Sequence, residues 1–83
     1  MKLAKYTKFR EEKFGGVLFE TRSEKVYSLN PTAAAVVREI APGVDERQVV
    51  ERLKVRFRDA DSALEREALT FLADLRQKGL LED

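Results

Sequence analysis

The residues of this 83-residue chain that could do chemistry are mostly carboxylates. They gather in Glu11-Glu12, in Asp45-Glu46 and in the segment RFRDADSALERE. Closely spaced carboxylates serve as general acid and base, or as ligands for a hard cation such as Ca²⁺ or Mg²⁺. Asp59 and Asp61, two residues apart, are the pair that could be imagined as ligands. Two carboxylates near a helix start are far more often capping groups that bind free N–H donors and face the positive end of the helix dipole. The remaining acids have the spacing of solvated helix faces. The chain has no histidine and no cysteine, so the usual neutral-pH base, the thiol nucleophile and most zinc ligands are missing. No catalytic residue, no metal and no cofactor are expected, and the protein is not expected to be an enzyme.

Hydrogen-bonding backbone is the other chemistry available, and the elements that would present it can be read from pattern. Lys5 to Glu12 (KYTKFREE) is a candidate strand with Tyr6 and Phe9 as apolar anchors. Gly15-Gly16 permits a turn or bulge. Gly16 to Glu20 (GVLFE) has the β-branched and aromatic content of a strand. The polar segment Thr21–Glu24 suits a hairpin connection. Lys25 to Leu29 (KVYSL) returns as a third predicted strand, with Tyr27 and Leu29 on one face and Val26 and Ser28 on the other.

Helical spacing takes over after the third strand. Asn30 suits an N-cap and Pro31 the first helical position. Ala33, Val36, Val37 and Ile40 then form one apolar stripe, closed by Ala41-Pro42-Gly43. Asp45 caps a second helix with Val49, Val50, Leu53 and Phe57 as its stripe. Asp61 or Ser62 caps a third, in which Leu64, Ala68, Phe71, Leu72 and Leu75 repeat it up to Gly79. Leu80 and Leu81 are expected to fold back on the core. The expected fold is α+β, a three-stranded antiparallel sheet followed by three helices, in a single domain over residues 1–83.

Size and charge bound what such a domain can do. A chain this short buries only about 60% of the surface its unfolded form exposes, which leaves little room for a deep pocket. Sixteen basic and fifteen acidic residues give a net charge of +1, without the basic excess of a nucleic-acid surface. No signal peptide or membrane span is apparent. No nucleic-acid partner, no membrane association and a cytoplasmic location are expected.

In a three-stranded meander, Lys25–Leu29 sits at an edge unless a helix covers it. An uncovered edge offers unpaired N–H and C=O groups, normally blunted by charge or proline. KVYSL has one charge and no proline. From spacing alone, a covered edge and an edge open to an added peptide strand both stay possible. Leu69 lies off the main stripe of the third helix, beside Arg66, Thr70, Ala73 and Arg76. It is either an ordinary exposed leucine or part of a groove for an amphipathic, partly acidic peptide.

Laid out in this way, the chain resembles the PqqD-like family, the recognition elements that bind leader peptides in ribosomally synthesised peptide (RiPP) maturation. The matching stretch begins with REEKFGGVLFETRSEKVYSLNPTAAAVV. It continues through VVERLKVRF and Asp61 to FLADLRQKGLL. The hairpin turn departs from the pattern, with Ser23-Glu24 where relatives commonly have a glycine. The resemblance implies a winged helix-turn-helix-like domain and leader binding by β-augmentation along Lys25, Val26, Tyr27, Ser28 and Leu29. It also implies a second wall on the third helix, assigned by spacing to Leu64, Glu65, Ala68, Leu69, Leu72 and Arg76. The implied partners are a precursor leader peptide and a maturation enzyme, either the leader protease of a lasso-peptide system or a radical SAM enzyme. The protein would act as a monomeric peptide chaperone. A winged-helix DNA-binding protein is the alternative, although the sheet here precedes the helices and DERQVVERLKVRF mixes acid with base. A homodimer joined edge to edge is a further one.

Overall fold

A computed structural model describes residues 1–57 and 62–83. Five strands and three helices follow in the order β1 (Lys2–Leu3), β2 (Thr7–Glu12), β3 (Gly15–Glu20), β4 (Lys25–Leu29), α1 (Pro31–Glu39), α2 (Glu46–Arg56), α3 (Ser62–Gln77) and β5 (Leu81–Glu82). The main sheet is antiparallel with strand order β2-β3-β4. This is the expected α+β architecture, with helices packed on one face of the sheet.

Register follows from which residues are apolar. Phe9, Leu18 and Tyr27 lie opposite one another, as do Gly16 and Leu29. Leu18 and Leu29 are buried, while Phe9 and Tyr27 pack at the margin of the core. The period of two places Lys8, Phe19 and Val26 in a row on the other face. Strand β2 starts at Thr7, later than the sequence suggests, because Tyr6 belongs to a turn. There the Arg22 guanidinium sits 4.6 Å from the Tyr6 ring centroid, a cation–π contact across the sheet end.

The β3–β4 connection solves its lack of glycine in an unusual way. Glu24 takes the left-handed conformation itself, with φ +58°. The Glu20 carboxylate accepts the Ser23 amide at 2.7 Å and the Ser23 hydroxyl. These bonds brace the turn and offset part of the cost of a non-glycine residue at positive φ.

Helix α1 follows β4 directly. The Asn30 side chain accepts the Ala33 N–H at 2.8 Å, and Pro31 occupies the first turn. Four consecutive residues, Ala34 to Val37, are buried, whereas Ala33 and Ile40 are only partly so. The expected single stripe is wider than predicted because α1 packs on β3 and also on α2 and α3. A helix covered on several sides buries more than one face, and alanine lets its neighbours approach closely.

Asp45 and Gln48 form a reciprocal capping box at the start of α2. Val49, Val50 and Leu53 bury the expected stripe, and Phe57 packs at its edge. Asp59 and Asp61 lie outside the described residues. At the far end of α3, Gly79 has φ +77°. Its N–H donates to the Arg76 carbonyl, and the Leu80 N–H donates to the Leu75 carbonyl at 2.9 Å. This closure returns Leu80 and Leu81 to the core, where both are buried. Leu81–Glu82 then pairs with Lys2–Leu3 in a two-stranded ribbon. Strands of two residues carry no readable periodicity, and the sequence gives no sign of this pairing. Among the described residues, no helix is long and apolar enough to cross a membrane.

Candidate functional site

Among the described residues, strand β4 is an edge, with β3 as its one neighbour in the sheet. Among the described residues, no backbone hydrogen bond ties residues 25–29 to any segment other than β3. One row of main-chain donors and acceptors on β4 is therefore without a protein partner. Tyr27 and Leu29 point toward the helices, while Val26 and Ser28 point away.

A cleft of about 790 Å³ runs along the helical side. One wall comes from the β4–α1 junction, through Asn30, Thr32, Ala33 and Val36. The other is a face of α3 made by Ala63, Arg66, Glu67, Thr70, Phe71 and Asp74. The Lys78 ammonium, in ion-pair contact with Asp74 at 2.5 Å, stands 6.0 Å from the Tyr27 ring centroid. The C-terminal end of α3 thus comes over the middle of β4, and the cleft wall begins at Asn30, the residue that follows the strand. Its floor is apolar through Ala33, Val36 and Phe71, and its rim carries both signs of charge through Arg66, Glu67 and Asp74.

The sequence assigned the α3 wall to a different face, and the structure separates those residues from the cleft. Ala68 and Leu72 are core residues at 1% and 0% exposure. Leu64 packs against the core margin. Glu65 pairs with Lys54 of α2 at 3.3 Å, and Leu69 lies with Val50 and Arg47 in a groove against α2. Arg76 pairs with Glu46 at 3.7 Å and with Asp83 at 3.0 Å. The reason is rotational. Glu65, Leu69, Leu72 and Arg76 have the spacing i, i+4, i+7, i+11, and so do Ala63, Glu67, Thr70 and Asp74. The two sets are two residues out of phase, about 200° apart around a helix that turns 100° per residue. Periodicity identifies such stripes but does not say which neighbour each one meets.

Among the described residues, no group of three or more carboxylates is placed to hold a metal ion. The Glu20 carboxyl is held below the usual carboxylate range by the Ser23 hydroxyl and amide. It ends β3 at the connection to β4, away from the cleft lining. The candidate site is a free strand edge whose end at Leu29 leads into an amphipathic cleft at the junction of a sheet and a helix layer.

A sequence profile described as Coenzyme PQQ synthesis protein D (PqqD) matches residues 15–81. The chain belongs to the PqqD family. No curated protein matches the sequence. Two solved structures share the fold of this PqqD-family chain across nearly all of its length. TbiB1, solved in complex with the TbiA(beta) leader peptide, superposes with a TM-score of 0.82 at 20% identity, over 99% of this chain and 95% of that one. A lasso peptide synthetase B1 complexed with its leader peptide gives 0.77 at 23% identity, over 99% and 96%. At such identity the likeness establishes the fold. Side chains at most positions differ, so each site residue here has to be argued from its own surroundings.

Proposed function

We propose that this PqqD-family protein is a non-catalytic RiPP recognition element that binds the leader of a precursor peptide as an added strand on β4. The observation that carries the proposal is the free edge of Lys25–Leu29 lying beside the cleft between α1 and α3. The leader backbone pairs with the β4 main chain, which supplies affinity with little dependence on sequence. Its helix-facing side chains enter the cleft, where Ala33, Val36 and Phe71 favour apolar groups and the charged rim of α3 adds selection. The role assigned from sequence to the third helix passes, in this proposal, to the face containing Ala63, Arg66, Glu67, Thr70, Phe71 and Asp74. Family membership supports the reading, as does the fold shared with two proteins solved with leader peptides.

Residues 1–83 act in this account as a single domain, and the mechanism is positional. A held leader keeps the core peptide at high effective concentration near a maturation enzyme. That enzyme is either a lasso-type leader protease with its cyclase, or a radical SAM maturase. The test is calorimetric titration with synthetic leaders of precursor genes neighbouring this gene, set against random duplex DNA at low salt. Saturable peptide binding without DNA binding is expected. Salt-sensitive DNA binding with no peptide affinity would replace this reading with the winged-helix DNA-binding one.

A further inference from the structure

The face of the sheet turned away from the helices has a feature that the cleft does not account for. Lys8, Phe19 and Val26 form one cross-strand row, and the row ends at the free edge with Val26, 61% exposed. A hollow of about 370 Å³ surrounds it, lined by Lys8, Phe19 and Val26 with Glu20, Glu24 and Lys25 at its rim. Phe19 is half-buried beneath it, with the Arg10 guanidinium 5.4 Å from the ring centroid. The Glu20 carboxylate is engaged by Ser23 and by Arg22. Among the described residues, neither Lys8 nor Lys25 has a carboxylate partner, nor does Glu24 a cationic one. Of the two lysines, Lys8 shares the face of Phe19 and Val26, whereas Lys25 alternates onto the face of Tyr27 and Leu29.

A strand added to β4 would lengthen this row by one position. Its side chains alternate between the two faces, and one directly opposite Val26 would lie about 5 Å from it, within pairing distance. We propose that the guest strand is read on both faces. Positions facing the helices are selected by the cleft, and the intervening positions by the Val26 row. The outward selection is for an aliphatic or aromatic side chain against Val26, with Phe19 one strand further along the row. This inference rests on the strand-addition reading and deepens it, since it names the chemistry of the ligand's second face.

A random linear peptide library displayed on mRNA and selected on the immobilised full chain tests it without knowledge of the natural leader. Wild-type protein should enrich peptides with apolar residues at positions of both faces. The Val26→Lys variant should replace the apolar preference with an acidic one at the outward positions alone. Arg66→Glu, on the cleft rim, should change preferences only at the positions between them. Val26→Thr should weaken a wild-type-selected peptide by up to about fivefold. Val26 and Arg66 are both exposed, and circular dichroism reports whether each variant keeps its fold. If Val26→Lys leaves the enriched sequences unchanged while Arg66→Glu alters them, the second face is not read and the inference fails. If the wild-type protein enriches no peptide at all, strand addition itself fails and the inference falls with it.

Discussion

Gly15 lies against the carbonyl of Leu29, so close that a β-carbon on Gly15 would overlap the Leu29 oxygen and come within 2.6 Å of the Asn30 carbonyl carbon. The φ of Gly15 is +143°, a conformation that side chains rarely allow. The start of β3 is thereby pressed onto the point where β4 becomes α1. This contact ties the proposed acceptor strand to the sheet and leaves no space for a loop between strand and helix.

Gly15→Ala should therefore destabilise the protein by roughly 2 kcal/mol or more, through backbone overlap combined with an unfavourable φ. Thermal or urea denaturation measures it. A change within about 0.5 kcal/mol would mean that the junction can relax away from β3.

Consecutive residues of an edge strand in an antiparallel pair alternate between bonding the neighbour and facing outward. Proline substitution at Val26 and at Tyr27 should therefore give opposite results. One variant loses a bond to β3 and is the less stable; the other keeps the sheet and loses only an outward donor. The second should fold, by its amide spectrum, yet bind leader peptide more weakly. Equal effects of the two on peptide affinity, once stability is allowed for, would speak against strand addition.

The two faces of α3 can be told apart by one substitution on each. Leu69→Glu, at 39% exposure in the α2 groove, should leave the fold and the peptide affinity near wild type. Thr70→Trp, one residue on and 100° around the helix, should fill the cleft and weaken binding on the order of tenfold, equivalent to about 1.4 kcal/mol. The opposite ranking in calorimetry would return the site to the face first read from the sequence.

Glu20 makes the β3–β4 turn sensitive to acid. Its carboxylate is held below the ordinary range, chiefly by the Ser23 hydroxyl and next by the Ser23 amide. A group whose folded pKa is depressed adds stability that is fully present above the unfolded value, about 4.3 for glutamate. That stability is lost as pH falls through the lower folded value. The Arg22 and Ser23 amides, which donate to this carboxylate, should thus shift together in their resonances below the ordinary glutamate range, and Glu20→Gln should abolish that titration.

Much of this architecture was legible in the sequence, for identifiable reasons. Asn30-Pro31 combines an N-cap with the residue best suited to the first turn, so the strand–helix boundary could be placed directly. The alternation in KVYSL grouped Tyr27 and Leu29 on one face, and in the structure that face is turned to the helices. Asp45 announced α2 as its N-cap, and the structure adds the reciprocal bond from Gln48. The α3 wall was not legible, because two stripes of identical spacing flank the core stripe, and only the packing of α2 decides which one stays open. The apolar leucine at 69 drew attention to the α2 side, whereas the cleft face is built from Ala63, Glu67 and Thr70, residues that by themselves suggest solvent. The Glu24 turn was hidden because its bracing comes from Glu20 and Ser23 rather than from a glycine.

The most direct test of the central claim is backbone amide hydrogen exchange, read residue by residue, with and without a leader peptide that binds. Strand addition predicts slowed exchange at alternate amides within residues 25–29, namely those not already bonded to β3, with smaller effects along residues 63–74 of α3. Protection confined to the α2–α3 groove around Val50 and Leu69, with residues 25–29 exchanging as in the free protein, would contradict it.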